Sequence, residues 1–282
     1  MRDRIAATLT ALVLLVWPAA VRAQAPTGTH ADSLIADSRL FVRSDLYVLA
    51  GFVGATVAMF PLDRQLAESL QRDHLVDNAT LNTIEETLNF VGGPAPILVG
   101  GAMFLFGRVA NRPRVAHVAL HMTEAIVVGL ATSGSLKMLA GRARPYASAD
   151  TAPHDFGFAR GFRGERYQAF PSGHATVSFA VAAALTSETA EWSPGARWIA
   201  GGLLFGGATI VGLSRMYADR HWASDVVVGA AIGTFAGFKT VRFNHTRTGN
   251  RVDRWLLGEN ATALRVLPGA AGSTRIAVGV SW

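Results

Sequence analysis

The chain has 282 residues, of which 50% are hydrophobic and only 16% are charged, and its mean hydropathy is +0.28. Soluble globular domains carry roughly 25% charged residues, so the composition favours a membrane protein and argues against a disordered or fibrous chain. The net charge is +6, but the cations lie between apolar segments, which argues against nucleic-acid binding. Cysteine is absent, which excludes disulfides, thiolate metal sites and cysteine nucleophiles.

Residues 1–23 have the layout of a secretory leader. Arg2 and Arg4 precede an apolar run at 6–20, and a short Val-Arg-Ala sequence follows the run. The alternative is an uncleaved N-terminal anchor, although the run is short for crossing a bilayer. After it, residues 24–87 form an N-terminal extension that is expected to contain one apolar helix.

Apolar segments recur along the rest of the chain, and several approach the roughly 20 residues that a bilayer-spanning helix needs. We therefore predict an all-α fold, a bundle of five to six mostly transmembrane helices. A large soluble helical protein also buries apolar helices and is the alternative. The six segments are 46–60, 88–106, 116–140, 174–190, 196–213 and 222–241.

Basic residues between the helices predict the orientation. The loop 107–115 and the chain after 238 are rich in Arg and Lys, which places them in the cytoplasm by the positive-inside rule. The loops 141–173 and 214–221 are each one helix away and are expected on the exported side. A cleaved leader followed by six spans would invert this arrangement. Either the first apolar segment does not cross, or the leader-like segment is not a leader.

The tail 242–282 changes character towards its end. Two partly alternating segments, 264–268 and 274–282, surround a Gly-rich centre, which is typical of a β-hairpin. An isolated hairpin is marginally stable, and a weakly ordered terminus is the alternative.

A first group of cations stands at the end of the segment 116–140. Lys137 lies inside the apolar segment, where a charge is costly without a partner or a water-filled cavity. Arg144 follows in the next loop. Taken alone, Lys137 is also interpretable as an interfacial anchor.

A second group is the sequence Pro171-Ser172-Gly173-His174 before an apolar run. Ser172 can cap a helix, Gly173 lets the backbone approach a ligand, and N–H groups at a helix start bind anions. His174 would stand beside the anion, able to donate or accept a proton. An ordinary capped helix start is the alternative.

A third group contains Ser214, Arg215, His221 and Asp225. His221 and Asp225 are four residues apart, so on a helix they share a face. Asp225 is expected to accept the ring N–H of His221 and fix its tautomer, leaving the other ring nitrogen to attack phosphorus. A surface His–Asp pair is the alternative.

Together these groups resemble the three-part signature of the type 2 phosphatidic acid phosphatase and vanadium haloperoxidase superfamily. The parts are Lys137-x6-Arg144-Pro145, Pro171-Ser172-Gly173-His174 and Ser214-Arg215-x5-His221-x3-Asp225. The resemblance extends over a helical domain at 88–241 and leaves residues 1–87 and the tail outside it.

The resemblance implies a phosphatase. His221 would be the nucleophile that forms a phosphohistidine, oriented by Asp225. His174 would protonate the leaving alkoxide and then activate water. The chemistry implies no metal and no cofactor. The substrate phosphate would be held by Lys137, Arg144, Ser172, Gly173 and Arg215.

The expected substrate is a lipid phosphate, such as phosphatidate, phosphatidylglycerol phosphate, an isoprenyl diphosphate or a lipid A phosphate, at an active site on the exported face of the membrane. One alternative is a soluble periplasmic acid phosphatase that takes water-soluble esters. Another is a vanadate-dependent haloperoxidase, in which His221 would bind vanadium. A non-enzymatic membrane-binding or scaffold protein is disfavoured because the signature is complete.

Weaker features surround the signature. Arg142, Asp219 and Arg220 lie between its positions and are expected only to support the site. The charged loop 146–170 either contacts a polar head group or is solvated. Three residues on one helix face have a spacing that can bind a metal ion. Because the sequence suggests no fourth ligand, we interpret the histidines as packed or hydrogen-bonded residues of the helix. The residues on this face are His117, His121 and Glu124.

Overall fold

The computed structural model describes residues 40–71, 73–147, 152–246, 256–257, 263–268 and 274–279. The leader-like segment 1–23 lies outside these residues. The described part of the chain is dominated by helices, which confirms the predicted all-α fold. Its nine α-helices are α1 Arg43–Met59, α2 Asp63–Leu70, α3 Asp73–Val76, α4 Ala79–Gly92, α5 Ala95–Val109, α6 Pro113–Ala140, α7 Gly173–Trp192, α8 Ala196–Tyr217 and α9 Ala223–Thr246.

Helix α7 lies at the centre of the bundle and packs against α6, α8 and α9. One hydrophobic cluster joins Phe179 of α7 to Phe205 of α8 and Phe238 of α9. A second cluster joins Val177 of α7 to Ile126 of α6. Because α7 contributes to both clusters, its position fixes the relative placement of the three helices around it.

Three glycines let α9 approach α7 at backbone distance. Gly229, Gly233 and Gly237 recur every four residues, and a Cβ on each would collide with a backbone oxygen of α7 or of its N-cap. Small residues at this spacing permit close packing between membrane helices. At the site end of this contact the backbone N–H of Ser172 donates to the carbonyl of Asp225 at 3.0 Å. The close approach therefore brings the second and third signature groups together.

Four helical stretches are long and apolar enough to cross a membrane, and the bent pair α4 and α5 would make a fifth. Their outer faces expose large apolar side chains, among them Leu203, which is 73% exposed, and Leu105, which is 63% exposed. Helix α7 forms where predicted but is not among these stretches, since its second half carries buried polar residues such as Glu188. The four are Arg43–Leu70, Pro113–Ala147, Ala196–Tyr217 and Ala223–Thr246.

The prediction of one helix over 88–106 is wrong. The chain breaks at Gly93 and Pro94, and α4 and α5 meet at a bend of 47°. Proline lacks an N–H and disfavours a helical conformation in the residue before it, so a helix normally ends at this point. Helix α4 starts well before the predicted segment, at an Asn78 cap whose side chain accepts the N–H of Leu81 at 3.0 Å.

Two strands follow the helices. Strand β1, Ala263–Pro268, pairs antiparallel with β2, Thr274–Gly279, with Ala263 opposite Gly279 and Pro268 opposite Thr274. The strands overlap the two alternating segments of the tail, and residues 280–282 of the second segment lie outside the described residues.

Candidate active site

A cavity of about 630 Å³ lies at the end of the bundle where α6 ends and α7 and α9 begin. Two of the predicted site residues, Ser172 and Asp225, are fully buried and do not line it. The other six all line it, although they come from three separate parts of the chain. They are Lys137, Arg144, Gly173, His174, Arg215 and His221.

The turn after α6 directs Arg144 back to the cavity that Lys137 already lines. Helix α6 ends at Gly141, whose φ of 53° and ψ of 40° are left-handed and therefore favour glycine. Arg160 secures the turn, because its Nε donates to the Gly141 carbonyl at 3.0 Å and its Nη2 donates to Asp155 at 2.7 Å. These two residues of the charged loop thus brace the turn.

The start of α7 is capped as the sequence predicts. Ser172 is the N-cap, and its hydroxyl accepts the N–H of Ala175 at 3.4 Å. A Cβ added at Gly173 would meet no atom within 4 Å, so the backbone faces open space there. A ligand can therefore approach the N–H groups at this helix start.

His174 fits against the break between α4 and α5. A Cβ at Gly93 would lie 2.8 Å from the carbonyl oxygen of Asn89 and 3.2 Å from Nε2 of His174, so a larger residue would crowd the ring. Burial lowers the pKa of His174, and a hydrogen bond with the backbone of Asn89 partly opposes this effect. The ring is therefore biased towards its neutral form.

Helix α4 supplies cavity residues that the signature does not contain. Nη1 of Arg215 donates to Oδ1 of Asn89 at 2.5 Å, and Nη2 forms an ion pair with Glu85. Asn82 lines the same cavity. These three residues of α4 stand at i, i+3 and i+7, the spacing of one helix face. This polar face is the sequence feature from which their place in the site could have been predicted.

The ring of His221 is oriented by a backbone carbonyl and not, as predicted, by Asp225. Nδ1 lies 2.6 Å from the carbonyl oxygen of Ala169, whereas Oδ2 of Asp225 is 3.7 Å away, beyond a hydrogen bond. An N–H on Nδ1 leaves the lone pair on Nε2. Burial lowers the pKa of His221 to about 3, so the ring is neutral at pH 7.

Of the three residues expected to support the site, two line the cavity and one lies behind it. Asp219 and Arg220 line the cavity, and Nη1 of Arg220 lies 3.2 Å from Glu165, the same carboxylate that pairs with Arg144 at 3.2 Å. Arg142 is fully buried and bonds to Asp225 behind the cavity.

The histidine face of α6 lies towards the opposite end of the helix from Lys137. Nδ1 of His121 contacts Oε1 of Glu188 at 2.6 Å, and Nε2 of His245 contacts the same oxygen at 3.1 Å. Glu124 instead accepts from Asn244 at 2.5 Å. Among the described residues, His121, Glu188 and His245 bring their ligand atoms within 4.8 Å of one another, so they are the group that could hold a metal.

Part of the chain is similar to known proteins. Residues 118–249 match the model of the PAP2 superfamily. Over 76 residues the chain is 40% identical to the lipid A 1-phosphatase of Porphyromonas gingivalis, covering 26% of this chain and 16% of that protein. Over 87 residues it is 30% identical to the undecaprenyl-diphosphatase of Sulfolobus acidocaldarius, covering 31% of this chain and 39% of that protein. The chain thus spans well under half the length of these relatives.

A solved structure shares the fold. The transmembrane PAP2 type phosphatidylglycerolphosphate phosphatase of Bacillus subtilis superposes with a TM-score of 0.51 at 19% identity, covering 73% of this chain and 98% of that chain. Residues 118–249 belong to the PAP2 superfamily, as the signature predicted. With its four or five candidate spans, the chain is a multi-pass membrane protein.

Proposed function

We propose that the protein is a metal-independent phosphatase that hydrolyses lipid phosphate monoesters or diphosphates through a phosphohistidine on His221. The observation that carries this proposal is the cavity itself. It gathers the cations of Lys137, Arg144 and Arg215 and the rings of His174 and His221 around one space. A transferring phosphoryl group spreads negative charge over its oxygens, and cations and N–H donors stabilise that charge.

Two arginines of the cavity have N–H groups that can still donate a hydrogen bond. Nε of Arg144 and Nε of Arg215 are buried and have no hydrogen-bond acceptor among the described residues. A buried donor without an acceptor is unfavourable, so a phosphate that accepts from both would relieve that cost. Glu85 now pairs with Arg215, and the substrate phosphate would take the place of this carboxylate.

The reaction would proceed in two displacements. Nε2 of His221 attacks phosphorus, the bond from phosphorus to the ester oxygen breaks, and the leaving alkoxide takes a proton from His174. Water then attacks the phosphohistidine, His174 accepts its proton, and the P–N bond breaks to release phosphate. Although burial lowers the pKa of His174, a bound phosphate dianion favours the protonated ring.

Phosphate release from a substrate panel tests the proposal. The purified protein, in detergent with a metal chelator, is given phosphatidate, phosphatidylglycerol phosphate, an isoprenyl diphosphate, a lipid A phosphate and soluble esters. We expect chelator-resistant release that is fastest with a lipid, because helices with exposed apolar faces favour insertion into a bilayer, where lipid phosphates are found. Release only from soluble esters would favour an acid phosphatase that takes water-soluble substrates. Bromide oxidation that requires vanadate and peroxide, without phosphate release, would favour a haloperoxidase.

We also propose that the cavity opens on the exported face. The basic segment 107–115 comprises the end of α5, the connection 110–112 and the start of α6, and the cavity lies at the other end of α6, about 42 Å away along 28 residues. The positive-inside rule supports a cytoplasmic location for that segment. Because the chain lacks cysteine, a single cysteine at exposed Phe162 near the cavity should react with a membrane-impermeant maleimide in intact spheroplasts. A cysteine at exposed Val109 should react only after lysis, and the reverse pattern would refute this orientation.

A further inference from the structure

Asp63 is a buried carboxylate from the N-terminal extension, outside the three-part signature. It is the first residue of α2 and is fully buried. Its Oδ1 accepts the backbone N–H of Ser224 at 2.9 Å. Its Oδ2 accepts the Ser224 hydroxyl at 2.5 Å and Nη2 of Arg142 at 2.8 Å. Asp63 therefore links the extension to the start of α9, which carries Asp225.

Arg142 extends this link to the site. All five of its N–H groups donate hydrogen bonds. Nη1 donates to Asp225 at 2.5 Å and to the Ser224 hydroxyl at 2.7 Å. Nη2 donates to Asp63 at 2.8 Å and to the Pro153 carbonyl at 2.5 Å, and Nε donates to the same carbonyl at 2.8 Å. A guanidinium with every donor engaged has one orientation. One cation is thereby shared between two buried carboxylates.

Aromatic rings enclose the guanidinium. The central carbon of Arg142 lies 4.9 Å from the ring centroid of Phe156, 5.2 Å from that of Phe60 and 5.5 Å from that of Trp222. Phe60 comes from the same extension as Asp63, just before α2. Because the surroundings are apolar, electrostatic interactions among these groups are stronger than in water.

Asp225 has to be both oriented and negatively charged if it is to stabilise His221. Its Oδ2 accepts the backbone N–H of Trp222 at 2.8 Å and lies 3.7 Å from Nδ1 of His221. When the ring attacks phosphorus it gains positive charge, which a nearby negative carboxylate stabilises. If Arg142 paired with Asp225 alone, its full positive charge would oppose that stabilisation.

We propose that Asp63 is a positioning residue for the reaction. By sharing the charge of Arg142 and bonding to Ser224, it holds Asp225 in place and leaves its negative charge available to the ring of His221. This inference rests on the proposed phosphohistidine.

The test is Asp63→Asn, which keeps the size of the side chain but removes its charge. We expect kcat to fall about 10- to 100-fold, by analogy with the range found for groups that orient metal ligands, with KM unchanged. In an Asp225→Asn background the same substitution should have little further effect, because it acts through Asp225. The proposal would be overturned if the falls in kcat of the two single variants multiplied in the double variant, or if Asp63→Asn changed KM alone.

Asp45→Asn is the matched control. Asp45 also joins the extension to α9, accepting from Lys239 at 2.6 Å, but it does not line the cavity. Each rate is divided by the amount of protein that can form the phosphoenzyme, so that a loss of folded protein does not lower the measured kcat. We expect a normal rate for Asp45→Asn. Equal falls in both variants would show that Asp63 only attaches the extension to the bundle.

Two further measurements keep the inference testable if Asp63→Asn does not fold. Ser224→Ala removes the hydroxyl between Asp63 and Arg142 while both charges stay, and a smaller fall in kcat with unchanged KM is expected; an unchanged kcat would overturn the proposal. If the wild-type protein released no phosphate and formed no phosphohistidine, the proposed function would fail. The ¹⁵N chemical shift of the His221 ring would then test the positioning role of Asp63. Ser224→Ala should change this chemical shift, and an unchanged value would contradict the positioning role.

Discussion

Replacing His221 with glutamine should lower kcat by at least about 10³-fold and prevent any phosphoenzyme from forming. Nε2 of the neutral ring is the proposed nucleophile, and a glutamine amide has no comparable lone pair. The amide can still donate to the Ala169 carbonyl, which the ring contacts at 2.6 Å, so the fold should survive. Phosphate release is measured together with ³²P incorporation after an alkaline quench, because phosphohistidine is stable in base.

The matched control is His117→Gln, the same substitution on the α6 face that lies away from the cavity. It should keep wild-type turnover and wild-type labelling. Labelled phosphoenzyme that persists in His221→Gln would assign the nucleophile to another residue and refute the mechanism.

Replacing His174 with alanine should harm substrates according to their leaving group. An alkoxide from a lipid phosphate is a poor leaving group and needs a proton from His174, whereas a nitrophenolate does not. We expect a loss of about 10²- to 10⁴-fold in kcat on alkyl phosphates and a much smaller loss in phosphoenzyme formation on nitrophenyl phosphate.

The same variant should accumulate phosphoenzyme on nitrophenyl phosphate, because water attack on the phosphohistidine also depends on His174. A burst of nitrophenolate followed by slow turnover would show this accumulation, and the wild-type protein provides the reference rate. Equal losses of phosphoenzyme formation on alkyl and aryl phosphates would contradict the acid role.

Two errors in the sequence-based predictions have physical causes. The apolar residues on the two sides of Gly93 form one nearly continuous run, which predicts a single helix, whereas Pro94 disfavours a helical conformation in the residue before it. The partner of the His221 ring was missed because it is the main-chain carbonyl of Ala169. Every residue has such a carbonyl, so no sequence pattern identifies the one that folding brings near.

By itself the sequence determined the helical class, most of the helices and the superfamily, because apolar runs and a three-part spacing are local properties of the chain. The tertiary structure decided which groups meet. Asp63 lies 161 residues from Ser224 along the chain, yet it bonds to it twice. Contacts of this kind depend on how closely helices pack, as the glycines of α9 against α7 show, and spacing along the chain does not encode them.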